Sequence, residues 1–166
     1  MGTNHMGRQS IRFLQPPVVR SFASVAGKKE REGPLGDQFT ATVQDTTFGE
    51  KSWERAERRM QQMTLELALE KAGLTDADLD AAFAGDLLNQ CIGSSFSLRN
   101  RGVPTLGLYG ACSTMAESLL LAAMSVSGGF ARTALAMTSS HFASSERQYR
   151  FPPVSYTHLR AHETLR

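Results

Sequence analysis

The run Gly110-Ala111-Cys112-Ser113-Thr114-Met115 sets a thiol between an apolar stretch ending at Tyr109 and a stretch of helical composition. A thiol at a strand-to-helix turn lies near backbone N–H groups that have no partner inside the helix, and near the positive end of the helix dipole. Both favour thiolate over thiol. Such a sulfur can act as an acyl-accepting nucleophile, with Cys112 in the catalytic position. The same N–H groups can instead hold a carboxylate without any bond-making. A plainer reading makes Cys112 a small residue filling a tight corner, with Ser113 or Thr114 capping the helix. The nucleophile-elbow pattern GxSxG carries a second glycine where this chain has Thr114, so spacing leaves these readings open.

Other reactive side chains are sparse. Cys91 sits in an apolar helical stretch with no neighbouring base and reads as core; with Cys112 it forms no CxxC pair, which argues against a disulfide scaffold and a zinc knuckle. Asp76, Asp78 and Asp80 are spaced like calcium ligands, but the central glycine and terminal glutamate of an EF-hand loop are absent. Thr75 followed by Asp78 has instead the spacing of a capped short helix. No metal-ligand set emerges. Of four histidines, His5 is near the start and His158 and His162 near the end, which leaves His141 as the candidate partner for a thiol or ligand; it is read either as a polar loop-end residue or as a general base.

The elements that would position these residues follow from periodicity. Trp53, Ala56, Met60, Met63 and Leu67 recur at spacings of three and four, predicting a helix from Ser52 that ends at Gly73 with those residues on one face. Arg55, Arg58, Arg59, Glu66 and Glu70 then form a solvated outer face. Ala81–Ala84, Thr105–Tyr109 and Thr133–Thr138 are short apolar runs separated by helical stretches at Ile92–Leu98 and Ser113–Ser127, an alternation that predicts a parallel sheet of α/β architecture. The last helix carries Met115, Leu119, Leu120, Leu121, Ala122, Met124 and Val126 in every direction around its axis. It is therefore expected to be buried all round, between two sheets, although this chain supplies strands for one. It is too short and too interrupted, by Glu117 and Ser118, for a membrane span. A short strand near Ile11–Leu14 and loops rich in Gly27, Gly33, Pro34 and Gly36 fill the first part.

Composition sets outer limits. The chain has 166 residues, 41% hydrophobic and 20% charged, enough for one domain with a core and unlike a disordered or fibrous chain. A net charge of +2 implies no nucleic-acid partner. The start is basic, with Arg8, Arg12, Arg20, Lys28, Lys29 and Arg31 against Glu30, but Pro16 and Pro17 interrupt a transit-type helix, and no secretory hydrophobic core is present.

The motifs GDLLNQ (85–90), LYGACSTM (108–115), GGFA (128–131), TSSH (138–141) and ERQYRFP (146–152), extended by EGPLG (32–36) and FGEKSWERAE (48–57), resemble the stage V sporulation protein AD family over residues 8–152. The resemblance implies the N-terminal half of a thiolase-like αβαβα fold, with a mostly parallel sheet and a buried central helix. It further implies a non-enzymatic role: binding dipicolinate, a flat small-molecule dianion, and assisting its uptake with calcium into the developing spore. Ligand-binding residues would then be Cys112, Ser113, Thr114, Asn89, Asp86 and His141. Asp86 would repel a carboxylate, so it either meets a bridging calcium or caps the helix after Gly85. No cofactor is implied. Partners would be other stage V sporulation A membrane proteins, with a homodimer for the intact protein, placed peripherally on the cytoplasmic face of the spore inner membrane. In condensing enzymes of similar fold this half supplies the nucleophile, so an acyltransferase using Cys112 is the rival reading, and a structural subunit of a membrane-associated assembly a third. Residues 1–7 are expected to be a disordered leader. Residues 153–166 break the family pattern, resemble translated adapter sequence and are expected to be non-native, making the chain a truncated one.

Overall fold

Three short apolar runs pair as parallel strands in the computed structural model, which describes residues 4–145. In chain order the elements are β1 (His5–Met6), β2 (Ser10–Ile11), β3 (Val25–Ala26), α1 (Lys28–Arg31), β4 (Ala41–Thr42), α2 (Trp53–Ala72), β5 (Ala81–Gly85), α3 (Ile92–Leu98), β6 (Thr105–Leu108), α4 (Thr114–Ser127) and β7 (Ala134–Thr138). The expected α/β architecture with a parallel sheet is what forms. The main sheet has the order β6-β5-β7, parallel throughout, with Gly85 level with both Leu108 and Thr138. The motif at 146–152 and the tail at 153–166 lie outside the described residues.

Crossover direction decides which face each helix takes. The chain moves from β5 to β6 on one side, then returns across β5 to β7 on the other. Right-handed crossovers running in opposite directions put their helices on opposite faces. Accordingly Leu65 of α2 and Leu98 of α3 share a core with Ala82, Ala84 and Met137, whereas α4 meets the other face, where Gly85 lies against Thr114. Burying a side chain such as Leu65 contributes about 2 kcal/mol.

Helix α2 begins and ends where the pattern predicts. The Ser52 side chain accepts from the Arg55 N–H, and Gly73 closes the helix in the left-handed region at φ 65. Its inward face, however, is turned from the expected one. The buried residues are Ala56, Glu57, Gln61 and Leu65, while Met63 and Leu67 are half-buried. The reason is what those side chains meet: Ser139, just past β7, bonds to both Glu57 and Gln61, and polar side chains do not register in an apolar period.

The 3₁₀ turn Asp76–Asp78 carries the expected capping box between Thr75 and Asp78. Asp80 accepts from the Arg132 and Thr133 N–H groups, which aligns the start of β7 with β5 and holds the Asp80 carboxyl below its usual range.

Two expectations for the start of the chain change. His5–Met6 pairs antiparallel with Ser10–Ile11, so residues 4–7, expected to be leader, form a hairpin arm, and the strand forecast at Ile11–Leu14 covers Ser10–Ile11. Val25–Ala26 pairs parallel with Ala41–Thr42, a two-residue ladder too short to register in sequence. The segment between is tied along α2 by the Ser21 hydroxyl to the Ala68 carbonyl at 2.7 Å and by Lys71 to the Phe22 carbonyl at 3.2 Å.

Helix α4 is not buried all round. Thr114, Ser118 and Ala122, spaced by four, form its buried stripe, while Met115, Leu119, Leu120 and Met124 are exposed. The helix lays its small residues on its own sheet and turns its large apolar ones outward, the reverse of an ordinary surface helix. No second layer covers that flank among the described residues.

Contact between sheet and α4 is close enough to forbid a methyl group. A Cβ at Gly85 would stand 2.2 Å from the Leu108 carbonyl oxygen and 2.5 Å from Thr114 Cγ2. Gly85→Ala is therefore expected to destabilise the chain by about 2–3 kcal/mol, measured by urea denaturation, with a Gly107→Ala control costing far less because its Cβ would meet only ordinary contacts.

Candidate functional site

Parallel strands end on the same edge, so the residues that follow β5, β6 and β7 are delivered side by side: Asp86, Tyr109 and Ser139. This carboxyl edge is where open α/β sheets bind ligands. Two contacts draw the first two loops together. The Tyr109 hydroxyl donates to the Leu87 carbonyl at 3.3 Å, and the Cys91 thiol donates to the Leu108 carbonyl at 3.2 Å.

After β6 the chain makes a 3₁₀ turn, Ala111–Ser113, with Ala111 at φ 48, and enters α4 without a side-chain cap. Both hydroxyls that could have capped the helix are used inside the turn. The Gly110 N–H donates to Thr114 Oγ1 at 3.0 Å, and the Ser113 hydroxyl donates to the Gly110 carbonyl at 2.7 Å. Thr114 is buried, and its hydroxyl fastens the corner. Cys112 stands exposed and free at the apex. The corner thus presents an accessible thiol beside an N-terminus whose dipole favours negative charge.

The loop after β5 is built around Asp86. Its side chain is 1% exposed and accepts from the Leu88 N–H at 2.9 Å, the Ser94 N–H at 2.7 Å and the Ser94 hydroxyl. Of the two roles expected for it, the geometry is that of a cap on the first turn of α3, with both oxygens committed inside the protein. Asn89 lies exposed in the 3₁₀ turn Asn89–Cys91, where Gln90 and Cys91 both take positive φ. Cys91 is buried, and burial pushes its thiol up, with the Asp86 charge adding to the effect.

His141 is placed away from the thiol corner. Its Nε2 lies 2.8 Å from the Thr46 carbonyl, and its ring packs on Trp53 at 5.6 Å and on Phe48 at 6.3 Å. A carbonyl only accepts, so Nε2 carries the hydrogen. The contacts that hold His141 belong to the 46–53 segment on the α2 side of the sheet.

Periodicity missed a second polar group, on the same edge but the other face. Ser139 donates to Glu57 Oε1 at 2.6 Å and accepts from Gln61 Nε2 at 2.6 Å, with Glu57 and Gln61 fully buried. Burial pushes the Glu57 carboxyl above its usual range, and nearby Asp86 adds to that; Ser139, Ser144 and His141 oppose it. The available signal was the four-residue spacing of Glu57, Gln61 and Leu65, which shares one face. Among the described residues no group of three or more His, Cys, Asp or Glu side chains is arranged to hold a metal, and no helix is long and apolar enough to cross a membrane.

An α/β chain with an exposed cysteine at an uncapped strand-to-helix corner on the carboxyl edge of its sheet defines the class. The family model for Stage V sporulation protein AD (SpoVAD) matches residues 7–164. The chain is also 44% identical over 146 residues to the Stage V sporulation protein AD of Bacillus subtilis (strain 168), covering 88% of this chain and 43% of that protein. The chain belongs to the Stage V sporulation protein AD family, a family of sporulation proteins, and spans less than half the length of the curated relative it matches.

Two outcomes follow from the site geometry. One thiol should react with a disulfide reagent in the folded chain and disappear in Cys112→Ser, while Cys91 reacts only on unfolding. Asp86→Ala should strip three donors of their acceptor and cost roughly 3 kcal/mol in urea denaturation, a loss that Asn89→Ala should not reproduce.

Proposed function

We propose that this chain contributes the thiol-bearing part of a dipicolinate-binding sporulation protein that assists uptake of dipicolinic acid, with calcium, into the developing spore. The single observation that carries the reading is the corner at Cys112: an exposed thiol beside the uncapped first turn of α4, on the carboxyl edge of a parallel sheet, in a member of this family. A planar dianion needs donors fixed in place and a wall without negative charge. The α4 N-terminus around Cys112, Ser113 and Thr114 answers the first need through the positive end of its dipole, the Ser113 and Thr114 N–H groups themselves being turned to the Gly110 and Ala111 carbonyls, with Asn89 on the adjoining loop as a side-chain donor. Burial of Asp86 in its own loop meets the second, since its carboxyl is turned inward to three donors rather than toward the ligand. His141, held against Trp53, acts in this reading at the rim and not on the sulfur.

The exposed apolar flank of α4 suits a thiolase-like two-lobed arrangement in which a second layer covers Met115, Leu119, Leu120 and Met124. Peripheral attachment at the spore inner membrane, through other stage V sporulation A proteins, and a homodimer of the intact protein belong to the same proposal. Cys112 also supports a second reading, a condensing-type acyltransferase, because an accessible thiol at a helix N-terminus is how such nucleophiles are made.

Calorimetry on an intact family member should show dipicolinate binding that weakens about tenfold when the cysteine equivalent to Cys112 becomes alanine; unchanged affinity removes that residue from the site. Mass spectrometry after exposure to acyl-coenzyme A separates the rival, since a stable thioester on the same cysteine makes the protein an enzyme. Binding of neither compound, with co-purification of spore membrane proteins, leaves the structural-subunit reading.

A further inference from the structure

We propose that Glu57 is held as a neutral carboxylic acid inside the fold and that its proton closes a latch fastening the segment after β7 to α2. The inference stands apart from dipicolinate binding and from the Cys112 corner. Its basis is a pair of buried acceptors that no donor reaches. Ser139 gives its one proton to Glu57 Oε1 and takes one from Gln61 Nε2, both at 2.6 Å. Two acceptors are left over, Glu57 Oε2 and Gln61 Oε1, both buried and both without a partner, on side chains that are 0% and 1% exposed. Because both head groups meet the same hydroxyl, the two orphan oxygens lie within roughly 5 Å of it.

An ionised Glu57 would put an unsatisfied negative charge beside a second unsatisfied acceptor in a water-poor interior, the arrangement that buried polar groups avoid. One proton on Oε2 reverses this. It removes the charge, turns Oε2 into a donor and offers a partner to Gln61 Oε1. The groups around it are Asp86 at the end of β5, His141 after β7, whose Nδ1 is buried without a partner, Ser144, whose hydroxyl is turned to the Trp53 carbonyl, and Arg58 on α2 itself, whose guanidinium is drawn to Glu50 at 3.5 Å with its Nε unpartnered. Burial outweighs the cation-side help and raises the carboxyl's pKa, in keeping with the donor count.

What the proton fastens is also visible. Ser139 N–H donates to the Gly85 carbonyl, Ser144 donates to the Trp53 carbonyl at 2.8 Å, and His141 is seated on Trp53 and on the Thr46 carbonyl. Ser139 is the root of this segment. A carboxyl raised in the folded state contributes its stabilisation fully below its unfolded pKa, and that contribution is lost as pH rises through the folded value. The latch should therefore be closed in acid and loosened toward alkaline pH.

Infrared spectra of the chain at neutral pH should contain a protonated-carboxyl carbonyl band that is absent from Glu57→Gln and that titrates away in the wild type as pH rises. Hydrogen exchange gives the structural readout: at pH 8 the amides of 139–145 should exchange about tenfold faster in the wild type than in Glu57→Gln, and at pH 5 the two should match. Ser139→Ala should speed exchange of the segment at both pH values. Absence of the band from the wild type at neutral pH overturns the proposal even where the variant fails to fold. So does faster exchange in Glu57→Gln at both pH values, the behaviour of an ionised Glu57 served by buried water.

Discussion

The approach of α4 to the sheet governs the rest of the structure. Gly85 has no room for a methyl group because the Leu108 carbonyl and Thr114 Cγ2 occupy that space. The helix reaches this depth by laying Thr114, Ser118 and Ala122 on the strands, residues small enough to bring the two backbones together. Depth at the first turn of α4 then sets the corner that precedes it. Thr114 Oγ1 accepts from Gly110, Ser113 is drawn back to the Gly110 carbonyl, and the one side chain of the turn with nothing to do inside is Cys112. An exposed thiol at a helix N-terminus is thus a consequence of packing one residue further along.

Topology distributes what remains. With β5 central and its neighbours reached in opposite directions, α2 and α3 take one face and α4 the other. The α2 face closes over an apolar core that turns polar at the carboxyl edge, where Glu57, Gln61 and Ser139 meet. Among the described residues the α4 face has no such closure. Its large side chains, Met115, Leu119, Leu120 and Met124, are exposed on the flank turned from the sheet they ride on.

The sequence foretold the elements better than their orientation. Ser52 and Gly73 mark α2 to the residue because caps are local chemistry, and the three apolar runs became β5, β6 and β7, of which the central β5 is the buried one while β6 at the edge is exposed. Rotation about the helix axis was less legible. The stripe Trp53, Ala56, Met60, Met63, Leu67 assumes that the inward face is the greasiest one, and α2 instead buries Glu57 and Gln61. For α4 the all-round apolar composition led to an expectation of burial on every side, whereas this chain covers a stripe of small residues, whose hydropathy is unremarkable. His141 and Asp86 illustrate the same limit at the candidate site. Each sits on the carboxyl edge as the order of elements requires, yet their partners, Thr46 and Trp53 for one and Leu88 and Ser94 for the other, come from loop paths that periodicity does not describe.

The two faces also differ in what holds them, and this bears on how the edge can work. Asp86 is the one group that both sides feel: it caps the loop beside the Cys112 corner, and its charge raises the carboxyl of Glu57 and the thiol of Cys91. The two Asp86 oxygens take three hydrogen bonds from donors that supply what water would. Glu57 is reached by hydroxyls alone, Ser139 at hydrogen-bond distance and Ser144 beside it, and its Oε2 has no partner. Two acidic side chains on neighbouring elements are therefore given opposite tasks by the number of N–H and O–H groups aimed at them. The donors lie with Asp86 because a loop turning into a helix has free N–H groups to offer, whereas Glu57 projects from the middle of α2, where every backbone donor is already taken.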